Sequence, residues 1–244
     1  MEELVSTYPG GKEGEGIWQR IVNLMPPHKV YVEMFAGGGA VLRHKEPAER
    51  TLVFELHRDA LDELRARYVE QRHPTENAIA WHNQDVLEWL RVAGKGIGPG
   101  VLLYADPPYP LSARRSDRCN YHHELTDEQH VELLELLAAT SARVMISGYR
   151  CPIYDAWLAE WTRVDYMAMT RGGTMVPESL WLNFAPPAEL HGYASVGTNY
   201  RERERIKRKR KRWLANFAEL PEHERGAIFS DLENFINKQR SKPE

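Results

Sequence analysis

The sequence predicts an α/β domain on a sheet of about seven strands, the last strand antiparallel, with a basic helical appendage at the C-terminal end. Three observations predict it. Short apolar runs recur along the chain, several apolar on both faces, as strands buried between helices are. Amphipathic runs of helical period lie between them, and that alternation argues for a largely parallel sheet. From about residue 200 the chain turns polar and charged, so residues 1–199 read as the domain and 200–244 as the appendage.

The elements follow in order. A helical run, WQRIVNLM, precedes the first strand, KVYVEMF (29–35). TLVFELH (51–57) is the second strand, followed by the helix RDALDELRARYVEQR. IAWHN (79–83) is the third, followed by VLEWLRVA. KGIGPG (95–100) is a flexible connector into VLLYAD (101–106). The helix DEQHVELLELLAAT comes next, with Thr126 placed as its N-cap. RVMISGY (143–149) and the helix IYDAWLAEW precede the last two strands, RVDYMAM (163–169) and SLWLNF (179–184). Only RGGTMVPE stands between those two, so they read as a hairpin. There are no internal repeats.

Composition narrows the class. A hydrophobic content of 42% fills a sizeable core, and no run approaches the ~18 apolar residues of a membrane span. The opening residues, MEELVSTYPGGKEG, have neither a basic start nor an apolar segment, so no signal peptide is expected. Cys119 and Cys151 lie far apart and suggest no disulfide framework, which makes a reduced, cytoplasmic setting the expectation. The net charge of −3 hides an asymmetry: RERERIKRKRKR (201–212) carries +7, leaving −10 on the remainder. A block of this kind suits nucleic-acid phosphates, because each neutralised phosphate releases counterions; the alternative is a solvated helix face.

Four strand ends hold the candidate chemistry. MFAGGGAVL (34–42) follows the first strand. Its glycines suit either a tight turn or close approach of backbone N–H groups to a nucleoside, and they do not match the dinucleotide fingerprint, since Leu42 stands where the third glycine belongs. Glu55, at the end of the second strand, suits a ribose diol or a helix cap. Asp85 suits an adenine amino group or the cap of VLEWL. The stretch VLLYADPPY is the most particular. Pro107 and Pro108 donate no hydrogen bond, Asp106 adds carboxylate acceptors and Tyr109 a flat ring. Acceptors without competing donors suit the exocyclic amino group of a planar base, with Tyr109 stacking on it for roughly 1–3 kcal/mol. His122, His123 and Glu124 in YHHEL are adjacent, and adjacent histidines rarely face one ion, so no metal site is expected.

These residues resemble the Dam-like (D12 class) adenine-specific DNA methyltransferases from Tyr8 to about Phe184, with the motifs in the family's order. YPGGK (8–12) resembles the opening motif, VEMFAGGG (32–39) the glycine-rich cofactor loop and DPPY (106–109) the catalytic motif. The resemblance implies a Rossmann-like methyltransferase sheet with S-adenosyl-L-methionine as cofactor. It implies cofactor contacts from Tyr8, Lys12 (to the cofactor's carboxylate), Glu33, Phe35, Gly37, Gly39, Glu55 (ribose), Asp85 (adenine) and Asp106. It implies catalysis by Asp106, Pro107, Pro108 and Tyr109 on adenine N6 of a base flipped out of double-stranded DNA. The expected enzyme is bacterial or phage-encoded and cytoplasmic, with a partner nuclease and a homodimer both left open.

The family carries a helical target-recognition region before the catalytic strand, whereas here about 20 residues separate Asp85 from Asp106. A short or relaxed recognition site is therefore expected. DNA is expected to be held by Arg114, Arg115 and Arg118 in a loop beyond Tyr109, and by Lys207, Arg208, Lys209, Arg210, Lys211 and Arg212 in the tail. RNA adenine or cytosine-N4 methylation, or a lapsed nucleic-acid-binding module, are the alternatives.

Overall fold

The computed structural model describes residues 11–14, 16–71, 78–110, 123–169 and 173–240. The elements are α1 (Ile17–Val22), β1 (Val30–Met34), α2 (Ala40–His44), β2 (Arg50–Phe54), α3 (Arg58–Gln71), β3 (Ala78–His82), α4 (Val86–Ala93), β4 (Val101–Ala105), α5 (Asp127–Ala138), β5 (Arg143–Gly148), α6 (Pro152–Trp157), β6 (Thr162–Met169), β7 (Met175–Leu182), α7 (Tyr200–Ala218) and α8 (Glu222–Arg240). One compact unit ends at Ser195 and a second begins at Val196.

The strands form one sheet in the order β3-β2-β1-β4-β5-β7-β6, parallel except that β7 runs against both neighbours. This is the seven-stranded sheet with an antiparallel last strand that the sequence predicts. Apolar side chains on both faces explain it. Tyr31, Val53, Leu102 and Met145 pack on one face, while Val32, Phe54, Leu103 and Ile146 pack on the other. Strands buried on both faces need helices on both sides, and the crossovers supply them.

Local signals hold where the chemistry is simple. Thr126 caps α5 in a full capping box with Gln129, each accepting a backbone N–H of the other. Two details differ from the sequence reading. The short helix α2 follows the glycine loop directly, where no helical run is visible. The last strand starts at Met175 rather than Ser179, so MVPE is strand and not linker. Pro177 is tolerated because only β6 pairs with β7 at that level; the β5 pairing begins at Ser179.

The order in which strands are laid down reverses between β1 and β4. The chain lays β2 and β3 to one side of β1 and then β4 to the other. Ligands of open α/β sheets bind in the crevice outside the carboxyl ends at such a switch point. The glycine loop leaves β1 there and DPPY leaves β4 there, side by side: Met34 pairs with Ala105, and Asp106 N–H donates to Met34 O at 3.5 Å. Among the described residues no helix is long and apolar enough to cross a membrane.

Candidate active site at the end of strand β4

The glycine loop is fastened by two carboxylates. Glu55, just after β2, accepts from Gly37 N–H at 2.8 Å through one oxygen and from His57 N–H at 2.8 Å through the other. Each oxygen keeps a lone pair, so a ribose hydroxyl still has an acceptor there. Glu33, buried on β1, accepts from Tyr31 OH at 2.6 Å and from the backbone of Leu42 in α2. Burial pushes its pKa up to about 7, against the opposing pull of those hydrogen bonds and of Lys45. Glu33 thus holds the loop from beneath.

The loop's backbone is unusual. Phe35 takes φ 58°, left-handed for a side chain that rarely adopts it, at a cost of order 1–3 kcal/mol. Gly37 and Gly39 also have positive φ, and a Cβ on Gly39 would run into Leu64 of α3. The loop therefore needs glycine at 39 both for conformation and for the approach of α3. Asp85 accepts from Leu87 N–H at 2.8 Å and caps α4, as one of its two sequence readings holds.

Asp106 lies at the centre of a buried polar cluster. One oxygen, Oδ1, accepts from Lys12 Nζ at 2.8 Å and from Ser147 Oγ at 2.8 Å. The other, Oδ2, accepts from no described residue, and the side chain is 19% exposed. Burial raises the Asp106 pKa, with Lys12 opposing. Pro107 is buried and Pro108 half-buried beside it. Ser147, on β5, also meets Tyr104 OH at 3.0 Å.

Lys12 lies within this cluster. Its ammonium donates to Asp106 and to Tyr109 OH, both at 2.8 Å, and lies 3.6 Å from Glu178. Two of its three N–H groups are donated to these oxygens, and the Glu178 carboxylate faces its charge. Tyr109 lies there too. It is buried; its hydroxyl donates to Glu178 at 2.9 Å, and its ring lies 4.3 Å from that of Tyr149. The open flat face expected from the sequence is packed against another ring.

Glu178 and Tyr166 complete the cluster, and sequence reasoning missed both. Tyr166 OH donates to Glu178 at 3.1 Å, and the two residues are directly paired across β6 and β7. The signal was available: a glutamate one residue before SLWLNF sits where a buried strand has no room for an unpaired charge. The presence of Pro177 hid the strand.

Several expected residues lie elsewhere. Tyr8, Arg114, Arg115, Arg118 and His122 fall outside the described residues. His123 lies with its ring 6.3 Å from His57. Among the described residues no group of three or more His, Cys, Asp or Glu is placed to hold a metal ion. Lys207 through Arg212 are exposed on α7, in the second unit.

No family model and no curated protein matches the chain. Solved structures similar to it include a conserved hypothetical protein from Streptococcus pyogenes, at 14% identity and TM-score 0.47, over 70% of this chain and 96% of that one. A SAM-dependent methyltransferase from Agrobacterium tumefaciens gives 10% and 0.48, over 68% and 60%. The N-methyltransferase NodS from Bradyrhizobium japonicum gives 12% and 0.46, over 68% and 92%. At these values they carry no argument, and the strand order shows a Rossmann-like α/β sheet.

Proposed function

We propose that this chain transfers a methyl group from S-adenosyl-L-methionine to the exocyclic N6 of adenine in DNA, acting on a base taken out of the duplex. One observation carries the reading: at the switch point Asp106 has a carboxylate oxygen that accepts from no described residue, beside two prolines and next to a glycine loop braced by Glu55. The residues present suit the cofactor in part. Glu55, Phe35, Gly37, Gly39 and Asp85 line the ends of β1, β2 and β3, where they would hold the nucleoside. Lys12 is assigned instead to orienting Asp106.

The bound cofactor supplies an electrophilic methyl group on a sulfonium. The protein's part is alignment and acceptance of charge. An exocyclic amino nitrogen is a poor nucleophile because its lone pair is delocalised into the ring. Asp106 Oδ2 and the Pro107 carbonyl would accept its two hydrogens, hold it out of conjugation and stabilise the charge that develops on nitrogen. One N–H proton then leaves through Asp106, whose raised pKa suits it to take that proton. Lys12 and Ser147 keep Oδ1 engaged, so the carboxylate cannot rotate away. The base would take the place of the Tyr149 ring against Tyr109.

Transfer of labelled methyl to DNA, to RNA and to neither, by parent and Asp106→Ala protein, tests the proposal. DNA labelling by the parent, lost in a folded Asp106→Ala protein that still binds cofactor, is the expected result. Labelling of RNA in preference to DNA moves the substrate and keeps the site. Equal labelling by the variant refutes the mechanism.

A further inference from the structure

Helix α8 has 19 residues, from Glu222 to Arg240, and none of its described side chains from 222 to 238 is buried. One face nonetheless carries a continuous apolar stripe: Ile228, Phe229, Leu232, Phe235 and Ile236. These are between 37% and 61% exposed. The spacing is that of a helix built to bury one side. A free helix of this length is marginal in water, so the stripe calls for a partner.

We infer that α8 is the contact surface of a homodimer and pairs antiparallel with α8 of a second copy. Its charges select that occupant. Glu222 and Glu224 sit in the first turn and Lys238 near the end. On a helical wheel Glu224 and Lys238 flank the same edge of the stripe. Antiparallel pairing about a twofold axis near Leu232 sets Glu224 of each copy beside Lys238 of the other. It also opposes the two helix dipoles, whereas parallel pairing would bring the acidic first turns together. Ile228 then meets Ile236, and Phe229 meets Phe235, across the axis. Asp231 flanks the axis opposite its own copy, a like-charge contact that keeps the pair weak. Two such stripes bury on the order of 1,000 Å², the lower limit for a specific interface. The dimer therefore forms and separates with protein concentration.

Sedimentation of the full-length protein over a concentration series is the test, repeated with Leu232→Asp, Glu224→Lys, Lys238→Glu and the double charge reversal. The parent is expected to pass from monomer to dimer. Leu232→Asp, which places two carboxylates at the axis, should raise the dissociation constant at least about tenfold. Each single reversal should weaken the dimer and the double reversal should restore it, with helix content unchanged by circular dichroism. The double reversal leaves the apolar stripe intact, so it does not depend on whether Leu232→Asp keeps α8 folded. A parent that stays monomeric at all concentrations overturns the inference. So do single reversals without effect, which would mean α8 pairs in another direction or packs within its own chain.

Discussion

Replacing Glu33 with glutamine should make the protein more stable at neutral and alkaline pH, although it removes a charge that accepts two hydrogen bonds. Glu33 is 3% exposed, and burial raises its pKa from the ordinary 4.5 to about 7. A carboxyl with a raised folded-state pKa favours folding fully below its unfolded value, and that contribution is lost as pH rises through the folded value. For Glu33 the window runs from 4.5 to about 7. Above it, holding the ionised form in place opposes folding by roughly 3 kcal/mol. Glutamine keeps one acceptor oxygen, which Tyr31 OH can still reach, and it does not ionise. The stability difference, variant minus parent, should therefore rise by roughly 3 kcal/mol between the two ends of the window. Urea unfolding followed by near-ultraviolet circular dichroism at a series of pH values measures it, since that signal comes from packed aromatics such as Tyr31 and Trp181. A difference that stays flat across the window would refute the assignment of the titration to Glu33.

Three other outcomes are expected. Glu178→Gln weakens the acceptor for Tyr109 and Tyr166 and removes a neighbouring charge from Lys12, so it should destabilise the domain by about 2 kcal/mol; thermal unfolding checks this, and an unchanged midpoint counts against the cluster. Gly39→Ala faces both the positive φ and the Leu64 side chain, so cofactor affinity measured by calorimetry should drop together with stability; intact affinity would mean that the loop's shape is not required for binding. Changing Lys207 through Arg212 to glutamine should make log DNA affinity less steep against log salt by about 0.9 for each phosphate that is no longer neutralised; an unchanged slope would move the DNA-binding surface away from α7.

Much of the fold was legible because its signals are local. All seven strands appear as apolar runs, and β4 announces itself by ending in two prolines. Positions set by long-range burial were not legible. Tyr109 was expected to face outward because an aromatic at a strand end has no local reason to turn in. It turns in because Glu178, 69 residues later, offers its hydroxyl an acceptor. Lys12 was expected to meet a ligand, and it is held by Asp106, 94 residues away. Helix α2 is five residues long, too short to show a period. Glu33 and Glu55 were visible as acids near a glycine loop. That they brace the loop depends on backbone N–H directions, which a sequence does not display.

The buried cluster has no explanation in stability alone. It places two carboxylates, Asp106 and Glu178, around one ammonium, and Lys12 is only 4% exposed. Desolvating such groups is expensive, and replacing a buried ion pair by apolar side chains of similar volume is often neutral or stabilising. What the charges provide is direction. Lys12 and Ser147 converge on Asp106 Oδ1 from distant parts of the chain, so the carboxylate is held in one orientation. Glu178 then orients the other two groups, Tyr109 by its hydroxyl and Lys12 by its charge. An apolar replacement would fill the same space and leave Asp106 free to rotate. The cluster fits a site whose demand is the aim of a single oxygen, the demand that the proposed methyl transfer to an amino group would make.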